Sequence, residues 1–280
     1  MALKIASWNV EGRLSALSSS ARGNPEHILR SIKTLDADVV VLLEAHSESS
    51  LEELQSHSKL LEMGYHVHTV PYDDDMATRF DSIAARSSLL LLSKIAIRDF
   101  NIIRLGDLRN ALEATLEYEP NRLLRVIGVH LDDRSEVMRL KQSADLADVI
   151  NQSSIPSIVM GDFNAMHGHD LWPARVLRSR LAKVMARLIM PDISQRAIDM
   201  ADGRTLRSLE SSTGLVDADS HHRPTATPKM FGREWLPSVR LLQIDHIFHS
   251  KDMTVTDFSI AKDGGADHRA ISGIISASDS

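Results

Sequence analysis

Two short apolar runs limit the fold of this chain more than any other feature. Val39, Val40, Val41, Leu42 and Leu43 make one, and Leu89, Leu90, Leu91 and Leu92 the other. Both are strand-sized, and nothing in the chain approaches the ~20 apolar residues that span a bilayer. The first run closes an early β-α-β pattern. Residues 3–10 alternate as a strand, Asn24-Pro25 opens a helix over 26–34, and residues 35–38 turn into the run. A helical crossover returns the chain in the direction it left, so these two strands are expected to pair in parallel.

Further along, residues 50–62 read as a second helix and 65–72 as an alternating segment. Strand patterns follow over 88–93, 95–104, 111–118 and 123–130, with a hairpin at Asn121 joining the last two. Residues 134–151 carry apolar positions at helical spacing, and 155–160 read as a buried strand. The segment 165–210 is largely helical in pattern, after which strands return over 239–248, 253–260 and 270–275. No internal repeat or linker interrupts the series. We expect one domain over residues 1–280, built as two packed sheets with helices outside.

Composition narrows the chemistry. The chain has no cysteine, which excludes disulfides and thiolate metal sites. Its net charge of −6 argues against tight nonspecific binding to DNA, but not against a nuclease built around a nest of carboxylates. With no signal-peptide pattern at the N-terminus, a cytoplasmic location is expected.

Polar residues stand where the strands end. Asn9 and Glu11 close the first, Glu44 the second, His130 the hairpin strand, and Asp162 and Asn164 the buried strand. Asp245 lies in a late strand, and Asp267 and His268 precede the last one. Polar groups behind apolar runs that fix their positions suit a site on a rigid scaffold. The carboxylates suit a hard divalent cation, which takes oxygen ligands. Asp245 sits among apolar neighbours, where an unpaired carboxylate is costly, so a buried partner such as His268 is expected.

Ser7-Trp8-Asn9-Val10-Glu11-Gly12, Leu42-Leu43-Glu44, Gly128-Val129-His130-Leu131, Gly161-Asp162-Phe163-Asn164, Gln243-Ile244-Asp245-His246-Ile247-Phe248 and Gly265-Ala266-Asp267-His268 occur in that order. Together they resemble the endonuclease/exonuclease/phosphatase superfamily, which includes DNase I-like nucleases, abasic-site endonucleases, neutral sphingomyelinases and inositol polyphosphate phosphatases. The resemblance covers residues 5 to about 275. It implies an α/β fold, the four-layer DNase I-like sandwich of two mixed β-sheets flanked by helices. It also implies Mg²⁺ or Mn²⁺, with Glu44 as the main ligand, Asn9 and Glu11 close by, and Asp267 binding directly or through water. His268, oriented by Asp245, would be general base or stabilise the phosphate. Asp162 would position or deprotonate the water, Asn164 and His130 would donate to phosphate oxygens, and Thr225 would be a rim residue touching substrate. The chain departs from the family pattern at Leu43, often Gln, at Glu11, often Asp in abasic-site endonucleases, and at Ala266, often Ser.

Two features stand apart from these motifs. His167-Gly168-His169-Asp170 and His221-His222 read as polar loops, with a transition metal or substrate contact the lesser alternative. Between Ala174 and Met190 lie Arg175, Arg178, Arg180, Lys183 and Arg187 with no acidic residue, beside a stripe of Leu177, Leu181, Val184 and Leu188. This basic helical insertion reads as a docked surface helix whose Arg180, Lys183 and Arg187 guide a polyanionic substrate, and contact with an anionic membrane stays open. The first expectation is hydrolysis of phosphodiesters, with nucleic acid as substrate, by a monomer without an obligate protein partner. The alternatives are a phosphatase or phospholipase-type hydrolase of inositol phosphates or sphingolipid headgroups, and a catalytically silent binding module.

Overall fold

The computed structural model describes residues 2–11, 14, 25–46, 57–71, 87–106, 109–167, 191–231, 238–262 and 266–278. Among the described residues, twelve strands form two six-stranded mixed sheets. In spatial order the first sheet holds β11 (Met253–Ile260), β12 (Ile271–Ala277), β1 (Leu3–Asn9), β2 (Val39–His46), β4 (Ser87–Ser93) and β3 (His66–Pro71). The second holds β5 (Ile97–Leu105), β6 (Arg109–Glu119), β7 (Arg122–His130), β8 (Ser157–Asp162), β10 (Asp245–His249) and β9 (Val216–Asp217). The α-helices among the described residues are α1 (Pro25–Leu35), α2 (Ser58–Glu62), α3 (Glu136–Asn151), α4 (Pro191–Met200) and α5 (Arg204–Thr213). Among the described residues, no helix is long and apolar enough to cross a membrane.

Each sheet has a β-α-β unit at its centre. β1 and β2 pair in parallel across α1, as the opening pattern predicts, and β7 and β8 pair in parallel across α3. Alternation along the strands explains why the apolar runs are unbroken. Val39, Val41 and Leu43 face inward and pack with Leu112, Val126, Ile158 and Met160 of the second sheet. Val40 and Leu42 face outward and pack with Trp8 and with Ile28, Leu29 and Ile32 of α1. The outer face of the second sheet meets the helices likewise, with Ile127, Val129, Val159 and Phe248 against Leu146 of α3 and Leu206 and Leu209 of α5. Four layers result: helices, sheet, sheet, helices. A fully buried side chain of this size stabilises the fold by roughly 1.5–3 kcal/mol, and most of the central strand positions are of this kind.

Two glycines set spacings that no other residue permits. At Gly128 a Cβ would lie 2.8 Å from Val41 Cγ1, so this position lets the sheets approach closely. At Gly161 a Cβ would collide with the Val129 carbonyl oxygen, which holds β8 tight against β7 just before Asp162.

The structure departs from the sequence reading at three places. β2 does not stop at Glu44 but runs on to His46, with a register shift against β4 between Leu42 and Ala45. Glu44 sits in this bulge with a left-handed backbone, φ 50°. The strand expected over 239–248 begins only at Asp245, because Leu242 is diverted into a bridge with Ala226. The two-residue strand β9 has too little pattern to be seen in sequence. In the segment read as helical, α4 and α5 are helices. Arg180, Lys183 and Arg187 lie outside the described residues.

Candidate active site

The C-terminal ends of the two parallel pairs meet across the seam between the sheets. Asn9 ends β1 and Glu44 stands in the β2 bulge, while His130 and Asp162 end β7 and β8 as register partners. Asp162 is also the register partner of Asp245, the first residue of β10. His130, Asp162 and Asp245 therefore form one row across the second sheet, opposite Asn9 and Glu44 of the first.

Asn9 bridges the sheets. Its Nδ2 donates to Glu44 Oε1 at 3.1 Å and to Asp162 Oδ2 at 3.2 Å. Its Oδ1 accepts from the Glu11 backbone N–H at 3.0 Å, the Asx turn that lets the chain leave β1. Glu11 reaches the last motif, its Oε2 accepting from the Asp267 N–H at 3.3 Å. His130 Nε2 lies 3.5 Å from Asp162 Oδ2 and 3.9 Å from Glu44 Oε1. Asn164 follows the sharp turn after β8 at φ 48°. Its backbone N–H donates to Asp162 Oδ1 at 2.9 Å and its Nδ2 to the Leu131 carbonyl at 3.0 Å. Its Oδ1 is buried without a hydrogen-bond partner among the described residues.

His268 is held from two sides. Its Nδ1 donates to Asp245 Oδ2 at 2.9 Å, so that Nε2 faces Asp162 at 3.8 Å and Asp267 at 4.0 Å. This is the buried partner that the apolar setting of Asp245 demanded. Burial alone would lower the affinity of His268 for a proton. Asp245 and Asp162 outweigh it and raise the pKa well above the ordinary histidine value. Asp162 moves upward too: burial disfavours its charge more than His130 and His268 favour it.

Thr225 differs from its expected place. It is not a rim residue. The bridges of Ala226 to Leu242 and His268 pull it beneath the site, where it is 1 % exposed. There its hydroxyl donates to Asp245 Oδ2 at 2.7 Å and accepts from the Asp245 N–H at 3.2 Å. Two further buried residues stand beside the catalytic motifs without having been given a role in sequence. Trp8 Nε1 donates to the His268 carbonyl at 3.3 Å, a role its position before Asn9 hinted at. Gln243 is buried, and neither of its amide atoms has a partner among the described residues; only its place two residues before Asp245 could have marked it.

The donor set suits a hard divalent cation. Among the described residues, Glu44, Asp162, Asp245 and Asp267 gather around the imidazoles of His130 and His268. Glu44, about a third exposed, and Asp267 offer carboxylates on the open side.

Three solved structures share the architecture. The human Nocturnin catalytic domain with bound sulfate is 20 % identical with a TM-score of 0.64, covering 99 % of this chain and 95 % of its own. ANGEL2, a 2′,3′-cyclic phosphatase, in complex with adenosine-2′,3′-vanadate, is 16 % identical with a TM-score of 0.65, over 98 % of this chain and 95 % of its own. The mannosyl-6-phosphatase Bt3783 of Bacteroides thetaiotaomicron is 14 % identical with a TM-score of 0.63, over 98 % and 99 %. At these identities the likeness establishes the DNase I-like fold. No curated protein matches the chain by sequence. The model of the Endonuclease/Exonuclease/phosphatase family matches residues 6–279. The chain therefore belongs to the endonuclease/exonuclease/phosphatase family, whose members hydrolyse phosphoesters.

Proposed function

We propose that the chain is a Mg²⁺- or Mn²⁺-dependent phosphodiesterase that acts as a monomer on nucleic acid or a nucleotide-derived diester. The observation that carries this reading is the row of His130, Asp162 and Asp245, with His268 locked to Asp245 and Asn9 tying the row to Glu44. Glu44 and Asp267, with Glu11 beside them, would hold the cation. When bound, the cation supplies Lewis-acid neutralisation of charge on the phosphate.

Asp162 is placed to orient the attacking water and take its proton. The water oxygen bonds to phosphorus as the ester P–O bond opposite it breaks, and the leaving oxygen departs to be protonated from solvent. His268, whose proton Asp245 and Asp162 hold against the cost of burial, donates from Nε2 to a non-bridging oxygen. His130 donates from the other side, while the Asn9 amide holds Glu44 and Asp162 in place, so charge building on the phosphate meets fixed donors. Asp245 and Thr225 hold the His268 ring in place and do not touch the substrate.

The nucleotide preference draws on the basic run at Arg180, Lys183 and Arg187, and on the adenosine ligand of ANGEL2. A phosphomonoesterase is the second reading, favoured by the likeness to mannosyl-6-phosphatase Bt3783. Hydrolysis would be measured over single-stranded RNA and DNA, a 2′,3′-cyclic nucleotide, bis-p-nitrophenyl phosphate and mannose 6-phosphate. Wild type would be run beside Glu44→Gln and His268→Asn. Metal-dependent diester turnover lost in both variants is expected. Turnover of the monoester alone supports the second reading, and no turnover of any substrate leaves a silent binding module.

A further inference from the structure

Alternation divides β10 between two chemistries. Asp245 faces the catalytic row, and His246, the next residue, faces the opposite side of the sheet. There a second group of titratable side chains gathers, and the phosphoesterase machinery uses none of them. His167, beyond the Gly161-Asp162-Phe163-Asn164 turn, places Nε2 2.9 Å from Asp217 Oδ2. His222, in the turn after β9, lies with its ring 4.2 Å from that of His167, centroid to centroid. One ligand atom from each of His167, Asp217 and His222 falls within 4.8 Å of the other two.

The surroundings hold Asp217 as outer residues hold a metal ligand. His246 Nδ1 donates to Asp217 Oδ2 at 2.8 Å, while its Nε2 donates to the Ala165 carbonyl at 2.9 Å. Since a carbonyl and a carboxylate can only accept, both nitrogens of His246 carry hydrogen. The Asp219 N–H fixes the second carboxylate oxygen of Asp217 at 2.9 Å. Glu210 stands 3.9 Å from His167 Nε2, within reach as a further oxygen donor. The side chains of His167 and Asp217 are 12 % and 4 % exposed, so an ion held there would be largely shielded from water. The sequence reading of His167 and His221-His222 as polar loops did not anticipate that the fold joins them at one carboxylate.

We propose that His167, Asp217 and His222 form a second divalent-metal site, distinct from the catalytic centre and suited to a borderline ion such as Zn²⁺. Two imidazoles and one carboxylate make the protein half of a tetrahedral site, in which bonds of about 2.0–2.1 Å set neighbouring ligand atoms near 3.3 Å apart. His167 and Asp217 already stand at about that separation, and His222 needs to move inward by an ångström or so. Coordination replaces the His167–Asp217 hydrogen bond and leaves His246 on Asp217 as an outer partner. Imidazole-rich donors select transition ions, whereas the carboxylate-rich catalytic centre selects Mg²⁺ or Mn²⁺, so the two sites take different metals from one solution. A metal here clamps the loop that carries Asn164 to the turn after β9.

The test is metal binding, not turnover. Chelator-stripped Glu44→Gln protein, with its catalytic centre weakened, is titrated with Co²⁺ and then Zn²⁺. Visible absorption and calorimetry follow the titration. One equivalent of Co²⁺ is expected, with the intense bands of a four-coordinate ion, displaced by Zn²⁺, and Zn²⁺ should raise the melting temperature. His222→Ala and His167→Gln in the same background should each bind at least ~100-fold more weakly, beyond the ~10–100-fold loss typical of an outer-shell change. His222 lies in a surface turn, and the melting temperature of its variant in chelator checks that the fold is intact. Absence of saturable binding in Glu44→Gln, or unchanged affinity in both histidine variants, would overturn the proposal.

Discussion

Replacing Thr225 with valine tests the site at the point where sequence and structure disagree. Valine keeps the shape, so no cavity forms, and only the hydroxyl goes. That hydroxyl donates to a carboxylate oxygen 2.7 Å away, and both residues are nearly inaccessible to water. A hydrogen bond to a charged group in such a setting contributes about 1.5–3 kcal/mol. The same carboxylate orients His268 through Nδ1. Thr225→Val should therefore lower the melting temperature by roughly 4–8 °C, taking ~2 kcal/mol and ~2–4 °C per kcal/mol for a chain of this size. If the lost interaction is felt in the transition state through His268, kcat falls by about 10- to 100-fold, at 1.36 kcal/mol per decade, with KM little changed. Thermal denaturation and steady-state kinetics on the best substrate of the panel give both numbers. A raised KM at unchanged kcat would refute this argument.

Gly161→Ala should destabilise the fold by about 3 kcal/mol, because its Cβ meets the Val129 carbonyl rather than a side chain that can yield; chemical denaturation measures it. Asp133 is half-buried, which opposes its charge, but Arg196 and Arg109 prevail and hold its pKa below the ordinary 3.8. Its contribution to stability is thus present above pH ~4 and lost as the pH falls through the lowered value, so Asp133→Asn should flatten the acid limb of a melting-temperature profile. Glu44→Gln should raise the Mg²⁺ or Mn²⁺ concentration for half-maximal activity more than tenfold while leaving the fold intact, as read by metal titration and circular dichroism.

The layers were legible because burial writes itself into apolar spacing. A strand covered on both faces, such as Val39 to Leu43, cannot avoid an unbroken apolar run, and a β-α-β unit cannot avoid parallel pairing. Asn9, Glu44, His130, Asp162, Asp245 and His268 were legible because each stands at the edge of such a run. What escaped depends on contacts distant in sequence. The Glu44 bulge needs the register of β2 against β4, and the diversion of Leu242 needs Ala226. The depth of Thr225 needs both of its neighbour's bridges, and the nearness of His167 to His222 needs β9, a strand of two residues. A pattern read along the chain carries none of these.

The close approach at Gly128 has a consequence for evolution and engineering alike. Asn9 and Glu44 belong to one sheet and Asp162 to the other, so the Asn9–Asp162 hydrogen bond measures the gap between the layers. Gly128 and Val41 help to fix that gap from within the interior. A larger residue at position 128 would act as a shim between two plates, prising them apart and leaving every catalytic group present but out of reach of its neighbours. The apolar interior is thus the ruler by which the reacting groups are spaced, and selection for turnover falls on its volume as firmly as on the carboxylates.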